Sequence, residues 1–182
     1  MRKKVIVAVD NFLIIDYNID RNYVITNPRE GKDMAGKVLA VNVSERRGEI
    51  KHNINEAFLK ENYGLAKDAH SGDWHRQVSL LSLSSYEKMQ AMGALGLDYG
   101  VFAENITVSG LDVAVLPLKT RLQVGEAILE ITQIGKECDN HGCAIKRQVG
   151  MCLMPIEGVF AKVLSSGWVR VGDQAEILTE GR

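Results

Sequence analysis

The sequence predicts a mainly β domain, a closed or nearly closed β-barrel carrying a few short helices. Three observations predict it. Strand-length runs of apolar or alternating residues recur after Gly36, short Gly-containing turns separate them, and helical signals are few. The length of 182 residues fits one domain, and 46% hydrophobic with 25% charged content lies at the globular average, away from the disordered range.

Residues 38–43 (VLAVNV) and 77–83 (QVSLLSL) are of strand length, with β-branched or apolar residues in partial period-two alternation. Residues 105–108 (NITV) form another short strand, closed by Ser109-Gly110. Residues 121–124 and 127–132 flank Gly125-Glu126, a Gly-X turn of the kind a type II′ hairpin prefers. Residues 159–164 and 168–171 flank Ser165-Ser166-Gly167 and predict a second hairpin with a longer loop, after which Gly172-Asp173 turns into a last strand at 175–178. Ser84-Ser85-Tyr86-Glu87 has the S-x-x-E spacing of a capping box and predicts a helix over about 86–92. A second helix is expected over about 140–149, limited by Gly142 and Gly150.

The first 33 residues differ in texture. They hold one apolar burst (Phe12-Leu13-Ile14-Ile15), an Asn/Asp/Tyr-rich stretch to Tyr23, and a turn-like Asn27-Pro28-Arg29-Glu30-Gly31. Residues 1–33 therefore read as an N-terminal extension before a domain at 34–180; an extra strand covering a sheet edge fits equally well.

Composition excludes several function classes. With 22 basic and 23 acidic residues and a net charge of -1, there is no global electrostatic case for nucleic-acid binding. The start Met1-Arg2-Lys3-Lys4 with the apolar residues 5–9 imitates a signal peptide, but Asp10 and Asn11 interrupt it early. No run approaches the ~18 apolar residues of a membrane span. Three cysteines, an odd number, suit a reducing cytosol better than a secreted disulfide framework, so the expectation is a cytoplasmic protein without membrane partners. No P-loop, dinucleotide fingerprint, H-E-x-x-H or nucleophile-elbow serine is present.

Three clusters carry chemically capable residues. Asp68, His70, Asp73, His75 and Arg76 fall within nine positions of a chain with four histidines. Histidine serves as acid, base or ligand, and the planar fork of Arg76 matches an oxyanion such as phosphate. A polar surface loop accounts for the same residues. Glu104 and Asn105 precede a strand, where an ordinary turn is the commoner explanation. Cys138 follows a predicted strand and precedes a predicted helix, with Lys136, His141, Lys146 and Arg147 near in sequence; cations and a helix start both stabilise a thiolate. Cys143 and Cys152 lie beside apolar residues and read as buried structural thiols. A zinc site competes, since Cys138, His141, Cys143 and Cys152 supply suitable ligands, although the spacing C-x2-H-x-C-x8-C matches no familiar knuckle or ribbon.

Taken together, Asp68-Ala69-His70, Arg76-Gln77-Val78-Ser79-Leu80-Leu81-Ser82, Phe102-Ala103-Glu104-Asn105-Ile106-Thr107, the segments 122–125 and 129–133, and the single Cys138 resemble the MOSC domain family, named for the C-terminal region of molybdenum cofactor sulfurases. The resemblance spans about 34–178 and is nearest to the short stand-alone bacterial members. Lys67 stands where the family carries glycine before the aspartate, and Ala103 replaces the glycine of F-G-E-N.

The resemblance implies a barrel of the pyruvate-kinase type with Cys138 at the edge of a cleft. It implies that Cys138 carries sulfur as a persulfide or ligates molybdenum. Asp68, His70, His75, Arg76, Glu104, Asn105, Lys146 and Arg147 are then the candidate contacts to molybdopterin. The implied partners are a cysteine desulfurase-type sulfur donor and a molybdoenzyme acceptor or cofactor-biosynthesis protein. Pyridoxal phosphate belongs to the desulfurase half of the sulfurases, and no convincing Schiff-base lysine is present here. Two rivals remain open: a molybdenum-dependent reductase of N-hydroxylated compounds fed by an external electron donor, and a non-catalytic zinc- or cofactor-binding module.

Overall fold

A computed structural model describes residues 6–9, 13–16, 24–26, 35–137 and 144–178. The chain divides into two units, Met1–Asp33 and Met34–Arg182. In the first, strands β1 (Ile6–Val9), β2 (Leu13–Asp16) and β3 (Val24–Thr26) form an antiparallel sheet in that order.

The second unit contains β4 (Ala35–Val43), β5 (His52–Asn53), β6 (Glu56–Lys60), β7 (Gly64–Leu65), β8 (Val78–Ser82), β9 (Ile106–Ser109), β10 (Arg121–Val124), β11 (Ala127–Ile134), β12 (Val159–Ser165), β13 (Gly167–Arg170) and β14 (Gln174–Leu178). The helices α1 (Leu83–Ala91), α2 (Ala144–Val149) and α3 (Met154–Glu157) are all short. Strands run in the order β14-β10-β11-β12-β8-β9-β4, and β4 returns to β14 with Gly36 opposite Ala175. This closes a seven-stranded barrel, and closure removes the free edges of an open sheet. Every neighbouring pair is antiparallel except β8 and β9. A parallel pair needs a long crossover, and the segment containing α1 supplies it.

The period-two pattern decides what fills the barrel. In β10 Leu122 and Val124 are buried between exposed Arg121 and Gln123, and β11 alternates likewise. Leu122, Leu129, Ile131, Val78, Leu80, Ile106, Val108 and Val163 belong to one fully buried cluster. All of β8 is buried, because Leu81 belongs to a second cluster with Tyr86, Met89, Phe102, Ile145, Leu153, Met154 and Phe160. A strand covered on both faces need not alternate, which explains the apolar run Val78-Ser79-Leu80-Leu81.

Two expectations are corrected. Residues 159–164 and 168–171 do not form a hairpin. Both edges of β12 are already occupied, by β11 and β8, so β13 leaves the barrel wall and pairs with β6, laying Trp168 against Phe58 with ring centroids 5.6 Å apart. The S-x-x-E box does not cap α1, which starts one turn earlier than expected. Its N-cap residue is Ser82, without a side-chain cap bond, because the Ser82 hydroxyl accepts from Val113 N at 2.9 Å, while Ser84 Oγ is buried without a partner. The hairpin of β10 and β11 forms as expected, with Gly125 at φ 57° in the turn. No helix among the described residues is long and apolar enough to cross a membrane.

Candidate functional site

The strand pairing brings distant segments to one end of the barrel. β8 and β9 both start there and β4 ends there, while β12 runs against β8 and β11 runs in the same direction as β8. The loop before β8 carries Asp68 to Arg76, the step into β9 carries Glu104 and Asn105, and the exit from β11 leads through Lys136 toward Cys138. Strand direction places the first two together, and side chains bring the third to them, with His75 on Gln133 and both Arg76 and Lys136 beside Phe160.

Asp68 is buried at the centre of a polar cluster. Its Oδ2 accepts from Lys51 Nζ at 2.5 Å and from Ser44 N at 3.0 Å, while Oδ1 accepts from His70 N at 3.0 Å. Lys51 and Asp68 side chains are 1% and 0% exposed. Burial alone would raise the Asp68 carboxyl, but hydrogen bonds from His70 and Lys51 and the Lys51 charge hold it well below the usual carboxylate range. Burial lowers Lys51 despite the attraction of Asp68. Lys51 Nζ also lies 3.3 Å from both Ser44 Oγ and His70 Nδ1.

The loop then turns over the barrel rim. Trp74 Nε1 donates to His70 O at 2.8 Å, and Arg47 Nε donates to Ala69 O at 3.2 Å. The Trp74 ring has the Arg76 guanidinium 4.8 Å and that of Arg47 5.8 Å from its centroid. Arg76 also lies 5.8 Å from the Phe160 ring, which Lys136 approaches to 5.7 Å. Among the described residues no carboxylate pairs with Arg47, Arg76 or Lys136, and Arg76 Nε is buried without an acceptor. Three cations without carboxylate partners beside two aromatic faces concentrate positive charge locally in a chain of nearly zero net charge, an arrangement able to attract an anion. Exposed His75 pairs through Nε2 with Gln133 Oε1 at 2.9 Å, and its carbonyl accepts from Thr132 Oγ1, which fastens the loop to β11.

Glu104 and Asn105 lie deeper and bond to the chain itself. Glu104 Oε1 accepts from Tyr86 Oη at 2.5 Å, Gly100 N at 2.7 Å and Thr107 Oγ1 at 2.8 Å. Its Oε2 has no partner, and neither has the neighbouring Asn42 Oδ1. Burial pushes the Glu104 carboxyl up, against these hydrogen bonds, and burial beside Glu104 pushes the Tyr86 hydroxyl up as well. Gly100 sits at φ 95° where a Cβ would lie 2.2 Å from Lys51 O, so glycine is required there. Asn105 Oδ1 accepts from Ser79 N at 3.0 Å and Nδ2 donates to Asn42 O at 3.1 Å, which ties β8, β9 and β4 together.

Lys146 and Arg147 are exposed on α2, whose Ile145 joins the apolar cluster that contains Phe160. Cys138, His141 and Cys143 lie outside the described residues. Of the four zinc candidates only Cys152 is described, partly buried against the same cluster. Lys51, Arg47, Ser44, Tyr86 and Phe160 were not legible as site residues. Lys51 sits in a charged loop and pairs across 17 positions, which leaves no local pattern.

Both departures from the glycine pattern fall on left-handed backbone, with φ 69° at Lys67 and 65° at Ala103. The loop shape that glycine favours is thus kept by residues with a Cβ, at a steric cost of roughly 1–2 kcal/mol each.

Comparison with known proteins agrees with this architecture. A MOSC domain family model matches residues 67–176, more than half of the chain. The chain is similar in structure to the YUAD protein of Bacillus subtilis (TM-score 0.67, 17% identity, 81% of this chain and 98% of that one). It is also similar to YiiM from Geobacillus stearothermophilus (0.58, 16%, 80% and 76%) and to YiiM from Escherichia coli (0.56, 18%, 82% and 72%). At such identities these structures speak for the fold alone. No curated protein matches the sequence. With the family model spanning the Asp68 loop, the Glu104 step, the hairpin of β10 and β11 and most of β14, the chain belongs to the MOSC domain family.

Proposed function

We propose that this protein handles the molybdenum cofactor in the cytoplasm, with Cys138 carrying sulfur as a persulfide or ligating molybdenum. One observation carries the reading: Arg76, with no carboxylate partner and a buried Nε lacking an acceptor, lies against Trp74 and Phe160, and Lys136 of the Cys138 segment approaches the same Phe160 ring. An orphaned buried donor beside aromatic faces fits a planar, phosphate-bearing anion such as molybdopterin. Arg76, Arg47 and Lys136 would hold its anionic oxygens, with Lys146 and Arg147 as further cations on α2. When bound, the cofactor supplies a metal centre able to accept a sulfur ligand.

The chain's own chemistry is thiol exchange. The Cys138 thiolate attacks the outer sulfur of a donor persulfide, the donor S–S bond breaks, Cys138 becomes a persulfide and the donor leaves as a thiolate, so no external oxidant is consumed. Nearby Lys136 favours the anionic thiolate. A cysteine desulfurase-type protein suits the donor role and a molybdoenzyme or cofactor-biosynthesis protein the acceptor role.

Intact mass and metal analysis of protein purified without oxygen tests this. A labile one-sulfur adduct lost in Cys138→Ser supports the carrier, and bound molybdenum lost in the same variant supports the ligand role. Stoichiometric zinc, with all three cysteines protected from alkylation until a chelator is added, would overturn both.

A further inference from the structure

We infer that Lys51 is a positioning residue that fixes His70 as its Nε2–H tautomer, so that His70 meets a ligand as a hydrogen-bond donor to an oxyanion or pterin acceptor and not as a metal ligand. The Lys51 ammonium has three N–H donors and no acceptor. Three groups stand around it, Asp68 Oδ2 at 2.5 Å, Ser44 Oγ at 3.3 Å and His70 Nδ1 at 3.3 Å. With Lys51 almost fully buried, water does not replace any of them.

His70 Nδ1 must then offer its lone pair to Lys51, and the ring proton of a neutral imidazole resides on Nε2. The alternative tautomer would turn an Nδ1–H toward the ammonium and rely on Asp68 Oδ1 at 3.5 Å, too long for a good bond. Asp68 Oδ1 already accepts from His70 N at 3.0 Å, which sets the position of the residue but does not need the ring proton.

The consequence is chemical. A neutral imidazole binds a metal through a nitrogen lone pair, and here one lone pair faces Lys51 while the other nitrogen is protonated. The ring is 26% exposed, and its contacts among the described residues run through Nδ1, none through Nε2. A donor N–H at the rim that carries the unpaired Arg76 selects acceptor atoms. The ligand class follows from the reading of this end as an anion site, on which this inference rests.

Nitrogen-15 spectra of the imidazole rings in the full-length labelled protein at neutral pH test the tautomer directly, with His70→Gln used to assign the signals. The expected result is an unprotonated Nδ1 and a protonated Nε2; the reverse pattern overturns the inference without need of a further variant. In Lys51→Met, with Asp68 retained, the ring proton should move to Nδ1 and face Asp68, and an unchanged Nε2–H tautomer in folded Lys51→Met would remove Lys51 from the role. Adding inorganic phosphate or molybdate should shift the His70 Nε2 signal, whereas stoichiometric zinc should leave it unmoved; a zinc-induced shift overturns the donor assignment. If the tautomer is as expected but neither anion shifts His70, the claim of an oxyanion acceptor falls together with the anion-site reading, and the role of Lys51 stands alone.

Discussion

Replacing Glu104 by alanine and by glutamine gives opposite outcomes if the buried carboxyl is neutral. In Glu104→Ala, Gly100 N keeps Tyr86 Oη at 3.2 Å, but the Tyr86 and Thr107 hydroxyls lose the acceptor they reach at 2.5 and 2.8 Å, and Asn42 Nδ2 loses the same acceptor at 3.4 Å. The two short bonds, at roughly 1–3 kcal/mol for each stranded hydroxyl, with the void left by the side chain, put the loss at about 3–7 kcal/mol even without the longer Asn42 contact. That lowers the melting temperature of a domain this size by about 10 °C or more. Glu104→Gln keeps the Oε1 acceptor and places an amide where Oε2 was, with an N–H available to the orphaned Asn42 Oδ1. It should stay within about 1 kcal/mol of the parent at neutral pH. The pH dependence supplies a second readout. Burial raises the folded carboxyl above its unfolded value of 4.5, so this group's stabilisation is complete below pH 4.5 and is lost as pH rises through the folded value. Urea unfolding of parent and Glu104→Gln between pH 4.5 and 8 should therefore show the parent losing stability with rising pH relative to the variant. A Glu104→Gln protein several kcal/mol less stable at neutral pH, with the parent's pH profile, would refute the argument and show that Glu104 is ionised.

Lys51→Met leaves Asp68 buried without its cation and should cost about 3–5 kcal/mol, with Lys51→Met/Asp68→Asn recovering part of it in denaturant melts. Asp68 titrates in the opposite sense to Glu104: its carboxyl is depressed in the fold, so its stabilisation is present above the unfolded value of 3.8 and is lost as pH falls below it. Lys67→Gly and Ala103→Gly should each stabilise by about 0.5–1 kcal/mol, since relief of left-handed strain exceeds the entropy that glycine costs, and thermal melts check this. Arg76→Lys keeps the charge but not the fork, and titration with molybdopterin should show affinity weakened about tenfold, the value of roughly one charge-assisted hydrogen bond; equal affinities would remove Arg76 from the site. Deleting residues 1–33 should leave cooperative unfolding of the remainder intact by calorimetry, in keeping with the division at Asp33.

Much of the barrel was legible because strand periodicity is a local signal. The alternation in 121–132, the turn at Gly125 and the runs at 38–43 and 77–83 each mark a strand without knowledge of its neighbours. The density of Asp68, His70, His75 and Arg76 marked one rim loop by the same kind of local reading. The strand β6, with only Ala57 and Leu59 buried, and the pairing partner of β13 were not legible, because both depend on which edges barrel closure leaves open. Lys51 looked like any solvated lysine until the fold placed it against Asp68 and His70, and Glu104 looked like a turn residue until Tyr86, Gly100 and Thr107 converged on one of its oxygens. Side-chain type and spacing determined most of the barrel strands, the family resemblance and the rim loop from Asp68 to Arg76. The tertiary structure decided which of those residues lie at the barrel rim and which hold the barrel together, since burial and hydrogen-bond partners are set by strands far apart in the chain.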